Sequence, residues 1–150
     1  MATSNAATTY LENKLLSLIF KNNAGSFSSP GNSIYVGLAT GSPSASDRDA
    51  GTLTEVNTST QDANYARQQV NAAGWTLASS STDQQTVTNA ANIEFSASSG
   101  VATYTVTHAF IADAATSGNI LFVGALDASK AIASGDIFRI NAGNLTIELK

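Results

Sequence analysis

Apolar residues change their spacing after Pro30, and this change constrains the fold more than any other feature of the chain. Before it, "TTYLENKLLSLIFKN" carries the spacing of an amphipathic helix, preceded by Thr8 and Thr9 as candidate caps. Its apolar residues are Leu11, Leu15, Leu16, Leu18, Ile19 and Phe20. After Pro30, short β-rich runs alternate with turns rich in Gly, Ser, Asn and Asp. The sequence therefore predicts one N-terminal helix followed by about eight short strands.

The strands are expected to pair with each other in a mainly β fold. The clearest is "VATYTVTHAFIAD", where alternation predicts that Tyr104, Val106, His108 and Phe110 share one face. The last two runs, "IFRIN" and "LTIEL", are separated by "AGN" and predict a closing hairpin, with Gly143 supplying a positive φ. The predicted fold class is an antiparallel β-sandwich or jelly-roll-like domain with one N-terminal α-helix.

A chain of 150 residues is expected to form one domain. Residues 1–9 predict an N-terminal arm, and residues 10–150 a single β-rich domain that includes a helix over about 10–22. A polar stretch, "GSPSASDRDAGTLTEVNTSTQDAN", follows the first strand. Because structureless loops of this length are unusual in compact domains, we expect this stretch and the arm to contact other subunits.

The composition excludes several classes of function. Only 12% of residues are charged and the net charge is −4, which argues against binding to the phosphate backbone of nucleic acid. The absence of Cys excludes disulfides and thiolate chemistry. No apolar stretch is long enough to predict a transmembrane helix, so no membrane partner is expected. A surface with so few charges suits a protein that is covered by neighbouring proteins.

Candidate catalytic groups are sparse. His108 is the single histidine and could act with Asp113 or Ser117, but its apolar neighbours favour a histidine in the core or at an interface. No nucleophile elbow or phosphate-binding loop is present. The sequence therefore predicts no catalytic residues and no cofactor site.

A metal site is also not expected. Asp47, Asp49, Gly51 and Glu55 reproduce only fragments of a calcium loop, and Arg48 between the two aspartates opposes a cation. This stretch is interpreted as a solvated or salt-bridged turn.

Three residues are candidates for an interface: Arg48, Arg67 and Trp75. Arg67 can bind a carboxylate through two hydrogen bonds, with Glu55, Glu94 or a neighbouring chain as the candidate partner. Arg48 lies in the long polar stretch. Trp75, with aromatic neighbours Tyr35 and Tyr65, is interpreted as a core residue, with a sugar-stacking platform as the alternative.

Several blocks in order resemble a family of small virion structural proteins of tailed bacteriophages, often labelled tail-fibre-like. These are "YLENKLLSLIF", "IYVGLAT", "YARQQV", "NIEF" and "AFIADAATSGNILFVGALDASKAIASGDIFRINAGNLTIEL". Together they span nearly the whole chain. The resemblance implies a β-rich particle component, located in the virion and made in the host cytoplasm, with no catalytic residues to carry over.

The resemblance and the composition together favour a non-enzymatic capsid decoration (cement) protein that stabilises the particle through contacts between subunits. The alternatives are a tail or tail-fibre component, and a carbohydrate-binding β-sandwich module; a small hydrolase using His108 is least favoured. The expected partners are other copies of the chain, with a trimer as the guess, and the major capsid protein or other virion proteins.

Overall fold

The computed structural model describes residues 6–21, 33–79 and 85–149. A large antiparallel sheet has the order β1–β9–β8–β2–β3, and β4 also pairs with β2. Its strands are β1 (Ala6–Ala7), β2 (Tyr35–Thr40), β3 (Thr54–Glu55), β4 (Gln68–Gln69), β8 (Tyr104–Ala112) and β9 (Ile120–Ile132). This sheet is the framework on which the other elements lie.

Two smaller antiparallel sheets form a second layer. One has the order β5–β6–β11, with β5 (Trp75–Ser79), β6 (Gln85–Asn89) and β11 (Thr146–Leu149). The other pairs β7 (Ile93–Glu94) with β10 (Arg139–Ile140). Side chains from the small sheets pack with Val36, Leu38 and Val106 of the large sheet in one apolar core. The prediction of a mainly β, antiparallel fold with an N-terminal helix is confirmed.

The N-terminal helix, α1 (Thr9–Lys21), lies within one residue of its predicted bounds at each end. Thr8 caps it, since its Oγ1 accepts from the Leu11 amide at 3.4 Å and its carbonyl accepts from the Glu12 amide at 3.1 Å. The Thr8 hydroxyl also donates to the Ile120 carbonyl at 2.6 Å, which ties the helix start to β9. Just before it, two residues of the predicted arm form β1 against β9.

The long polar stretch contains a second short helix, α2 (Ala45–Ala50), that the sequence analysis did not predict. The Ser44 side chain accepts from the Asp47 amide, and the Asp47 carboxylate accepts from the Ser44 amide, which forms a complete capping box. Gly51 ends the helix in the left-handed conformation, with φ 70°. The spacing Ser44–Asp47 and the following glycine were available in the sequence as start and stop signals.

A bulge in β8 overturns the predicted alternation of its side chains. Val106 pairs with Thr40 of β2 and His108 pairs with Ala39, so Thr107 is one extra residue. The extra residue reverses which face later side chains occupy. Phe110 therefore lies in a different apolar core from Val106, and the prediction that His108 and Phe110 share a face with Tyr104 and Val106 is wrong.

The C-terminal strands also differ from expectation. Strand β9 runs as far as Ile132 and so includes "DASKAI", a stretch without the alternation of apolar and polar residues that predicts a strand. The predicted closing hairpin is wrong, because β10 pairs with β7 and β11 pairs with β6. Gly143 does adopt a positive φ of 78°, but in a turn held by buried Asn89 rather than in a hairpin. The Asn89 side chain donates to the Asn141 carbonyl and accepts from the Leu145 amide, each at 2.9 Å.

In the described part of the chain, neither helix is long and apolar enough to cross a membrane.

Candidate interaction surface

Arg67 is held inside the protein by four hydrogen bonds that its guanidinium donates. Its Nε and Nη2 donate to the two carboxylate oxygens of Glu55, each at 2.8 Å. Its Nη1 donates to the carbonyls of Ala114 and Ser117 at 2.9 and 2.8 Å. The Arg67 side chain is only 6% exposed and that of Glu55 is 30% exposed. Of the alternatives left open by the sequence, the structure forms the pair with Glu55 within the chain.

Two aromatic residues complete the surroundings of this ion pair. The guanidinium of Arg67 lies 5.0 Å from the centre of the Phe110 ring, a cation–π arrangement. The Tyr65 hydroxyl donates to Glu55 at 2.8 Å and accepts from the Leu38 amide at 2.9 Å. Burial raises the pKa of Tyr65 above its ordinary value. The Tyr65 ring stacks on Phe95, so it belongs to the core rather than to an open sugar-stacking platform with Trp75.

A second buried polar group holds the turn that precedes β8. Asp62 is 2% exposed and accepts from the Ser99 and Asn64 amides and from the Tyr104 hydroxyl, at 2.9, 3.0 and 2.9 Å. Burial alone would raise the pKa of Asp62, but these hydrogen bonds together outweigh it and lower the pKa below its usual value. This network could not be predicted from the sequence, because Ser99 and Tyr104 lie 37 and 42 residues from Asp62.

Arg48 lies half-buried in the last turn of α2, beside the aspartates that resembled a calcium loop. Asp47 is engaged by Ser44 at the start of the helix. Glu55 is occupied by Arg67 and Tyr65. Among the residues that the structure describes, no group of three or more metal-binding side chains comes together. The segment from Ser44 to Gly51 is therefore a capped helix, and its Asp47 carboxylate binds Ser44 within the chain.

The structure separates His108 from its candidate catalytic partners. His108 is 7% exposed, and its Nδ1 lies 2.9 Å from the Thr107 hydroxyl. Its Nε2 is buried and has no hydrogen-bond partner among the residues that the structure describes. Burial and the positive charge of Arg48 lower the pKa of His108. Asp113 instead accepts two hydrogen bonds from Asn119, at 2.7 and 2.8 Å.

Trp75 lines an apolar groove between the β5–β6–β11 sheet and strands β8 and β9. The groove has a volume of about 260 Å³ and its lining side chains are all apolar: Ile34, Trp75, Leu77, Val87, Ile111, Leu121, Phe122 and Ile147. Leu77, Val87 and Ile147 lie in register across the three strands and form one wall. Trp75 is half-buried, and its indole NH reaches the Val70 carbonyl at 3.4 Å. Leu77 is 71% exposed.

Helix α1 presents a second apolar surface. The helical pattern places the apolar residues of α1 on one broad face, but only Leu11 is fully buried, with Leu15 packed half-buried beside it. Leu16, Ile19 and Phe20 are 53%, 67% and 75% exposed. Their spacing of three and four residues places them side by side, and we call them the ridge.

A further groove lies between β9 and β10. Residues 126–129 of β9 stand opposite the single residue Thr107, because the register passes from Val106–Lys130 to His108–Ala125. This segment of β9 forms one wall of a groove of about 620 Å³. The lining mixes polar and apolar side chains: Leu126, Asp127, Ala128, Lys130, Ile137, Phe138, Arg139, Ile140, Asn141 and Asn144.

Comparison with known proteins gives a family for the chain. A family model described as podophage GP4 fiber I protein gp80 matches residues 6–148, which covers nearly the whole sequence. No curated protein matches the chain. The match confirms the resemblance to phage structural proteins noted in the sequence. The chain therefore belongs to the podophage GP4 fiber I protein gp80 family, a family of tailed-phage virion structural proteins.

Proposed function

We propose that this protein is a non-enzymatic fibre subunit of a tailed-phage particle, and that it works through contacts between folded domains. The observation that carries the proposal is the distribution of side chains over the domain. The charged groups Arg67, Glu55 and Asp62 are engaged within the chain, whereas the ridge and the groove beside Trp75 expose uncharged apolar side chains. Exposed apolar surface of this kind is typical of protein–protein contacts. The family description supports the fibre assignment.

The size of the domain also favours association. A compact chain of 150 residues has a radius of gyration of about 15 Å. A fibre longer than this must combine several chains. We propose that the association is between copies of this chain, with three copies as the preferred number because closed symmetry is the default for such assemblies.

A non-enzymatic role is supported by what the structure does with the candidate catalytic groups. The His108 ring lies buried on the Phe110 face of the large sheet, while Asp113 is bound to Asn119 in the turn after β8. A histidine acts as a general base only within hydrogen-bond reach of the group it deprotonates. The hydroxyl that His108 contacts is that of Thr107, which donates to the Ala39 carbonyl at 3.3 Å within the large sheet. The buried His108 is better explained as part of the packing.

Capsid decoration is the second candidate. The described residues form a compact β structure with α1 and the short α2 beside its sheets, a shape that suits a cement protein lying across neighbouring capsid subunits. In that case the major capsid protein is the partner, and bound protein stabilises the assembled lattice by mass action. Particles would then release DNA at a lower temperature after the protein is stripped from them.

Carbohydrate binding is the third candidate, and the groove between β9 and β10 is the feature that favours it. Its side chains include amides, two cations and a half-buried aromatic ring, groups that can meet sugar hydroxyls and apolar sugar faces. A glycan-binding screen with Asn144→Ala and Trp75→Ala variants tests this candidate. Loss of binding in the Asn144 variant alone would support it.

The experiment that tests the fibre assignment is direct localisation. Particles carrying the chain with a small peptide tag are labelled with gold-conjugated antibody and imaged by electron microscopy. The proposal predicts gold on fibres. Uniform gold over the head would overturn it in favour of decoration, and unlabelled intact particles would overturn both.

A further inference from the structure

We infer that two copies of this chain join by seating the ridge of one copy (Leu16, Ile19 and Phe20 on α1) in the apolar groove of the next (lined by Trp75, Leu77 and Ile147, among others). The inference rests on the proposed function, because it names the contact through which fibre subunits associate. It also assigns a role to Trp75, which the sequence put forward as an interface candidate.

The groove is suited to an apolar helix. Its described lining contains no charged side chain, so no buried charge has to be paired when it is filled. Its outer wall, Leu77 with Val87 and Ile147, is supported by the hydrogen-bonded ladder of three strands. Because that ladder fixes the wall, the groove exists before a partner binds. Few side chains of the groove then have to be ordered on binding, which lowers the entropic cost.

The ridge has the complementary shape. Leu16, Ile19 and Phe20 project from one side of a regular helix, in the i, i+3, i+4 pattern by which amphipathic helices fill apolar grooves. On the same helix, Leu11 and Leu15 pack on the domain and hold the ridge in a fixed orientation. The ridge is thus presented to a partner rather than used within its own chain.

A second copy is the partner that these features favour. The concave surface and the convex surface are both apolar, both uncharged, and both on this one chain. Each copy has a net charge of −4, but the ridge and the groove lining carry no charged side chain, so no like charges are placed against each other at this contact. A chain that carries both halves of a contact needs no other protein in order to assemble.

This contact joins two different patches, so it is heterologous. Such a contact closes into a ring when the rotation between copies allows it, and three copies would be joined by three identical junctions. The alternative, a symmetric contact of ridge against ridge, would leave the groove empty. The two arrangements respond differently when each patch is altered on a separate chain.

The test uses the full chain in analytical ultracentrifugation at micromolar concentrations. A ridge variant, Ile19→Ser with Phe20→Ser, and a groove variant, Leu77→Lys, should each weaken self-association at least about tenfold. Mixed together, they retain one intact ridge and one intact groove, and should form a one-to-one pair and nothing larger. Val101→Lys, which changes a residue that is 52% exposed, is the matched control and should associate as the unaltered chain does.

Circular dichroism and thermal melting establish that the variants fold, since the altered side chains are exposed. The inference is overturned if the groove variant associates normally, which would point to ridge against ridge, or if the mixture forms no pair. It is also overturned if the unaltered chain stays monomeric. Gold labelling of fibres in the localisation experiment would leave the proposed function standing in each of these cases, so the two failures can be told apart.

Discussion

Arg67 donates two hydrogen bonds of 2.8 Å, from Nε and Nη2, to the two carboxylate oxygens of Glu55. The pair joins the edge strand β3 to the segment before β4, and the remaining Arg67 nitrogen binds the turn that follows β8. The hydrogen bonds to Glu55 also raise the pKa of Arg67. One side chain thereby fixes three segments that are distant in sequence.

Replacing Arg67 with Ala should lower the free energy of unfolding by about 3 kcal/mol, because Glu55 and two carbonyls lose their donor. The control is Arg139→Ala. Arg139 pairs with Glu94, but both side chains are about half exposed (49% and 46%), so the expected loss is below about 1 kcal/mol. Urea denaturation measures the free energy of unfolding of both variants. Equal losses in the two variants would contradict the structural role assigned to Arg67.

Replacing Gly37 with Ala should destabilise the protein by about 1–3 kcal/mol. Gly37 pairs with Phe110 across β2 and β8, and a Cβ at this position would lie 2.2 Å from the end of the Phe110 ring. Phe110→Leu shortens that side chain, so the double variant should lose less stability than the sum of the two single variants. If thermal melting shows that the double variant loses as much stability as the two single variants together, the Phe110 ring does not lie over Gly37.

Stability should fall as the pH is lowered from 7 to about 5.5, and His108 should be the cause. The folded protein lowers the pKa of His108 through burial and the charge of Arg48, so the unfolded chain binds the proton more readily. The stability supplied by neutral His108 is present above the unfolded pKa of about 6.5 and is lost below it. In His108→Asn, urea denaturation should show no such fall. A fall of the same size in that variant would assign the effect to other groups.

Self-association should depend only weakly on salt. The ridge and the groove carry no charge, and salt screens interactions between charges. Sedimentation at about 50 mM and about 500 mM NaCl should give association constants within about threefold of each other. A loss of association at high salt would move the contact to charged surfaces, with Arg48 as the first residue to test.

The elements that the sequence predicts well are those with strong local periodicity. Helix α1 and strand β8 occur where predicted, because a run of regularly spaced apolar residues determines each of them. The faces of β8 were not predictable, since the bulge at Thr107 adds one residue and reverses the alternation beyond it. Helix α2 was predictable in principle, from the cap at Ser44 and the stop at Gly51.

Pairings between distant segments were the part that the sequence could not supply. "IFRIN" and "LTIEL" read as a hairpin because they are neighbours, but Asn89 holds the turn between them and their strands pair with β7 and β6. The partner of Arg67 stayed open for the same reason: Glu55 and Glu94 are equally acceptable until the fold brings one of them close. Trp75 was named as a candidate, but its groove is built from five strands and the residue before β2.

The most direct test of the account is the copy number of the chain in purified particles, measured by quantitative mass spectrometry against a capsid protein of known copy number. Particles are first washed in high salt, which removes proteins held only by exposed charges. A fibre subunit joined by apolar contacts predicts a fixed copy number, a multiple of three, that the wash leaves unchanged. Absence of the chain from washed particles would contradict the claim that it is a structural component of the virion.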